Sequence, residues 1–174
     1  AGLMPDTQYC YRVRAVNSLG YSGYTDVVCW TTTLEPTVVT FREGVSYVGL
    51  VDTYLMEGEP ATAHGGLESV EWDSDDPSGT GLLKFALIRF DNIFGYGLGR
   101  IPPGATIQSA TLTYTVYNTG DPAEVNEVAV SWSEDDTYNG FGGDAGVDAG
   151  DYGAFVGNAI GSATGPQSID VTGS

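Results

Sequence analysis

The chain has 174 residues, of which 23 are acidic and six basic, giving a formal net charge of −17. That balance argues against nucleic acid as a partner, because phosphate contacts need Lys and Arg, and it also disfavours anionic membranes. No run of 18 apolar residues and no basic-then-apolar leader is present, so no membrane insertion is expected.

Glycine (25), proline (8) and tyrosine (11) are abundant. Apolar residues do not recur at helical spacing, so the expected class is all-β. So acidic a surface suits high ionic strength, which screens self-repulsion, or divalent cations, which neutralise it locally.

Residues 1–35 read as two alternating strands around Asn17-Ser18-Leu19-Gly20. A turn centred between Leu19 and Gly20 sets Cys10 opposite Cys29, within reach of a disulfide. Such a bridge implies an oxidising compartment, and hence an extracellular or cell-surface location. The same register sets Arg12 opposite Val27 and Arg14 opposite Thr25, on the cysteines' face. Tyr9, Tyr11, Val13 and Ala15 then form the face expected to be buried.

Leu3, Pro5, Thr7 and Tyr9, followed by Val13, Ala15, Val16, Asn17, Gly20 and Ser22, resemble the last two strands of a fibronectin type III domain. The resemblance implies a tyrosine corner at Tyr9, its hydroxyl bonded to upstream backbone. It covers a hairpin only. The rest of such a sandwich is expected either from a longer polypeptide or from another chain by strand exchange.

Leu34-Glu35-Pro36-Thr37 reads as a linker, and 36–174 as a second domain. The segment from Val38 to Gly58 suggests two strands. His64, the one histidine, lies beside Gly65 and Gly66 and reads as a loop residue. In Trp72-Asp73-Ser74-Asp75-Asp76-Pro77-Ser78-Gly79, the spacing of Asp73, Asp75 and Gly79 is similar to a calcium loop without the closing bidentate Glu of an EF-hand. Asp73, Asp75 and Asp76 are therefore candidate ligands, with a solvated turn as the alternative.

Leu82 to Phe90 is apolar at every phase, as in a central strand covered on both faces. Ile107 to Tyr117 alternates, with Ala110, Leu112, Tyr114 and Val116 on one side and threonines on the other. A polar loop at 118–126 precedes Val128, Val130 and Trp132, with Trp132 expected in the core. Residues 139–165 are rich in Gly, Ala and Asp and read as a flexible insertion, in which Asp144, Asp148 and Asp151 could gather around Ca²⁺.

Asp52-Thr53-Tyr54-Leu55, His64-Gly65, Ala86 to Asp91, Ile101 to Ala105, Ile107, Ser109-Ala110, Leu112, Trp132-Ser133-Glu134, Thr137-Tyr138-Asn139 and Ile169 to Thr172 occur in the order of a DNRLRE domain. The chain resembles that bacterial and archaeal extracellular module over about residues 45–172. The naming string itself is absent, Tyr138 stands where the family has tryptophan, and the match stops before the family's last strands.

The resemblance implies an antiparallel β-sandwich of jelly-roll type following the partial fibronectin type III sandwich. It also implies carbohydrate binding, with uronate polysaccharides as one known ligand class. The chain's own charge favours a neutral glycan or calcium-mediated contact over direct binding of uronates.

No Gly-x-Ser-x-Gly elbow, His-Glu-x-x-His helix or phosphate-binding glycine loop is found, so no enzymatic role is expected. The expected function is non-catalytic glycan binding or adhesion within a larger secreted or surface protein. Trp72 and Tyr138 are expected to stack on sugar, with Asn139 beside them. The alternatives are a passive spacer or a filament or surface-layer subunit that self-associates by strand exchange.

Overall fold

A computed structural model describes residues 3–4, 6–32 and 37–173. The Pro5 position and most of the expected linker (Leu34, Glu35 and Pro36) lie outside the described residues. The chain forms two compact units, Ala1–Val39 and Thr40–Ser174. It is nearly all-β, built of short antiparallel pairs compatible with a sandwich, and the described residues form no closed barrel.

In the first unit, β1 (Gln8–Tyr11) pairs with β4 (Val28–Thr31), and β2 (Val16–Asn17) with β3 (Gly20–Tyr21). Cys10 stands opposite Cys29 and is bonded to it, with S–S 2.06 Å. The Tyr9 hydroxyl accepts a hydrogen bond from the Met4 amide at 2.8 Å.

The turn differs from expectation. Asn17 faces Gly20, so Ser18 and Leu19 form the tip, and the Asn17 side chain accepts from the Leu19 amide. Continuing that register would set Tyr11 opposite Asp26, yet it faces Val28. The returning strand thus carries two extra residues. One consequence is that Thr25 bonds to Val13 rather than facing Arg14. Arg12 instead lies over the Tyr24 ring, and Arg14 over Tyr21 and Tyr24.

The face expected to be buried is open. Tyr11, Val13, Val28 and Trp30 are all exposed, and no described residue of the first unit is fully buried. Two strands offer one apolar face and nothing of their own to lay against it.

The second unit begins with one strand where two were expected. β5 (Leu50–Met56) pairs along its whole length with β6 (Lys84–Phe90). The connection between them returns along the far edge of β6, where Asp73 and Lys84 exchange backbone hydrogen bonds.

β7 (Thr111–Val116), β8 (Ala123–Val128), β9 (Tyr152–Ala159) and β10 (Gly165–Asp170) form nested pairs, β7 with β10 and β8 with β9. Val171 bonds to Ala110, Gly120 to Gly161 and Ala129 to Asp151, so the two ladders follow one another as a single long antiparallel ribbon. A Cβ at Gly157 of β9 would come within 2.9 Å of the tip of the Ile169 side chain on β10, so that side chain packs over the bare glycine.

The core comprises Leu55, Leu87, Trp132 and Phe141, wrapped by Val51, Phe85, Val130, Tyr138 and Val147. Burying one such large side chain contributes about 2–3 kcal/mol. β7 alternates as expected, its threonines outward and Val116 buried. β6 is covered less than expected: only Leu87 is buried, and Ile88 is exposed on the opposite face.

The expected loop at 118–126 already contains the first four residues of β8. The supposed flexible insertion holds a 3-10 turn, Phe141–Gly143, and the whole of β9. Phe141, only 1% exposed, anchors that segment in the core.

Candidate functional site

Trp72 sits where the acidic turn meets the ribbon. Its indole N–H donates to the Asp121 carbonyl at 2.9 Å, and its ring meets Tyr114 edge-on at 5.9 Å. Ser74 makes a short hydroxyl contact to the Asp121 carboxylate, and the Asp73 carboxylate lies beside Gly120. A side chain at Gly161 would collide with the Asp121 carbonyl, so bare backbone there makes room for the indole anchor. Trp72 is half-buried and held from two directions, by the Asp121 carbonyl and by the Tyr114 ring.

The three aspartates expected to hold calcium in this turn are spent separately. Asp73 accepts from the Asp75 amide; Asp75 accepts from the amides of Gly79 and Gly81 at 2.7 and 2.6 Å; Asp76 pairs with Lys84 at 2.5 Å. They do not gather as a metal-ligand group, and the turn is built by its own carboxylates. The Gly79 and Gly81 amides hold the Asp75 carboxyl below the ordinary aspartate range. Lys84 also pairs with Glu71 at 2.6 Å. Burial opposes its charge, but the bonds to Asp76 and Glu71 prevail and raise its pKa above the ordinary lysine value.

Asp144, Asp148 and Asp151 do converge, each offering a carboxylate oxygen within 4.8 Å of the others. Asp151 is 4% exposed and accepts from the Asp148 amide at 2.9 Å. Among the described residues no Lys or Arg pairs with any of the three. Hard oxygen ligands of this kind fit Ca²⁺ rather than a thiophilic metal.

Tyr138 is not a surface platform. It is half-buried against the core cluster, and burial, then the charge of Glu57, raise its pKa. Asn139 next to it is exposed, its backbone amide donating to the Pro60 carbonyl.

His64, expected as a loop residue, is buried and stacked flat on Tyr54 with ring centroids 4.2 Å apart. Its Nε2 has no hydrogen-bond partner. The close approach of Gly65 to Glu134, which a Cβ would block, draws this loop inward.

Arg89 grips Asp91 with two nitrogens, donates to the Trp132 carbonyl at 2.8 Å and lies over the Trp132 ring. The pair ties β6 to the core tryptophan and leaves neither group for chemistry.

Sequence reasoning missed Tyr114, Asp121 and Gly161 as Trp72's neighbours. All three come from the ribbon, and only the fold brings them to residue 72. Comparison with protein-family models, with curated proteins and with solved structures finds no match for this chain.

Proposed function

We propose that the chain is a non-catalytic, extracellular glycan-binding module. The observation that carries this reading is Trp72, an aromatic ring fixed at the surface by Asp121 and Tyr114 with polar groups of Ser74, Asp73 and Asp121 around it. A rigid aromatic face takes the C–H face of a pyranose at small entropic cost, and adjacent carboxylates accept its hydroxyl hydrogens. The disulfide supports an oxidising, extracellular setting, and among the described residues no helix is long and apolar enough to cross a membrane.

Support for the non-catalytic part comes from how the reactive groups are used. The histidine is stacked beneath Tyr54, the cysteines are bridged, and Asp75, Asp76 and Asp91 are committed to the chain's own donors. The test is a glycan array with wild type and Trp72→Ala. Retention lost in the variant supports the reading; retention of no polysaccharide by the wild type rejects it.

Calcium belongs to this reading as a structural ion. Asp144, Asp148 and Asp151 would hold it, and the buried, cation-less Asp151 is the reason: a buried carboxylate is stabilised by a counter-charge. Bound there, Ca²⁺ would neutralise the loop that seats Phe141.

A second reading, a self-associating structural subunit, is favoured by the open apolar face of the hairpin, where Trp30 is 72% exposed. Sedimentation equilibrium separates the two: a monomer at high concentration eliminates the subunit.

A further inference from the structure

The surroundings of Trp72 also bear on which glycan it takes. We infer that this site selects an amino-sugar polysaccharide with free, protonated amines over a fully N-acetylated one or a uronate. The inference rests on the glycan-binding reading above.

Charge is the first ground. Beyond residue 39 the chain has 20 acidic residues against four basic ones, Arg42, Lys84, Arg89 and Arg100. A cationic polymer is drawn to such a surface from a distance, and a polyanion is repelled.

Local pairing is the second. Lys84 is held by Glu71 and Asp76, Arg89 by Asp91, and Arg100 by the Asn92 carbonyl. Among the described residues no ion pair involves Asp73 or Asp121, so neither has a cation of the chain's own. The Asp121 carboxylate meets Ser74 and the Asp73 carboxylate lies beside Gly120, in the two segments joined by the bond from the indole N–H to the Asp121 carbonyl. An ammonium placed between these segments would have the two carboxylates as counter-charges, with the indole of the same turn beside it. A uronate would lay its carboxylate against theirs, and an acetamide would carry no charge to offset their desolvation.

The experiment is calorimetric titration with glucosamine oligomers, N-acetylglucosamine oligomers of the same length, and uronate oligomers, each with EDTA and with Ca²⁺. The glucosamine oligomer is expected to bind about tenfold more tightly than the acetylated one, a preference of about 1.4 kcal/mol. Its affinity should fall as salt rises, and uronates should not compete.

Trp72→Ala leaves the net charge untouched, so it separates stacking from bulk attraction. It should lower affinity about tenfold, while Trp72→Phe retains most of it. Binding unaffected by Trp72→Ala would overturn the proposal as non-specific polycation adhesion. Equal or tighter binding of acetylated or uronate oligomers would overturn the amine preference and leave glycan binding standing. Binding of none of the three overturns both.

Discussion

The carboxylate of Asp151 fills the space that any side chain at Gly142 would occupy: a Cβ built there would collide with its Oδ1. Gly142 also has a φ of 68°, in the region that favours glycine. Gly142→Ala should therefore expel the carboxylate and strain the turn at once. The expected cost is on the order of 2–4 kcal/mol, read as a lowered midpoint in thermal or urea unfolding. Gly143→Ala is the control, since its Cβ meets nothing within 4 Å. It should cost less than Gly142→Ala, and an equal cost would show that backbone strain alone matters.

The same three aspartates predict a calcium response. Ca²⁺ at a hundred times its dissociation constant should stabilise the second unit by about 2.7 kcal/mol, and EDTA should reverse it. Asp144→Asn and Asp148→Asn should each weaken that response, whereas Asp73→Asn should leave it intact. A thermal midpoint indifferent to Ca²⁺ up to millimolar concentrations would remove calcium from the account.

Reduction of the Cys10–Cys29 bridge should act on the hairpin. The bridge closes a sequence separation of 19, for which loop-closure entropy gives about 3 kcal/mol. An unaided two-stranded ladder is marginal, so reduction is expected to abolish protection of the Tyr11 and Val28 amides in hydrogen exchange. Persistent protection after reduction would mean the ladder needs no bridge.

Acid titration should reveal two opposite carboxylates. Asp75 is held below the ordinary aspartate value of 3.8 by the Gly79 and Gly81 amides, so it stabilises the folded state above the unfolded pKa. That contribution is lost as pH falls through the lowered folded value. Asp52 is shifted upward, first by burial and then by Glu134 and Glu43. The folded state binds its proton more readily, so its ionisation opposes folding once pH rises above the unfolded value. Asp52→Asn should stabilise the protein at pH 7, and the gain should vanish in strong acid; Asp75→Asn should destabilise it at pH 7. Urea midpoints against pH for both variants decide this.

Local signals were legible in the sequence. Alternation in β7 gave its inward and outward faces; the opposition of Cys10 and Cys29 was reached through a turn placed one residue too late, an offset that the two extra residues of the returning strand cancel. The slip of register above Tyr11 was not, because apolar spacing is blind to a two-residue irregularity. Phe141 was hidden among Gly, Ala and Asp, a composition that reads as a loop although one aromatic suffices to bury it. Tyr138 was misplaced for the reverse reason: being in a loop does not make an aromatic exposed. Of the candidate site only Trp72 was legible, since Tyr114, Asp121 and Gly161 reach it through pairings between distant segments.

The nested ribbon also sets an order on synthesis. β7 leaves the ribosome roughly 50 residues before its partner β10, about 3–10 s at usual elongation rates. During that interval it is an unpaired, alternating strand. Thr111, Thr113 and Thr115 along its outer face keep one side of the waiting strand polar, and the tip at Ala129 and Asp151 is the first point at which pairing can begin. The ribbon is thus expected to zip from its tip outward as β9 and then β10 emerge, with β7 the last strand to be relieved of solvent.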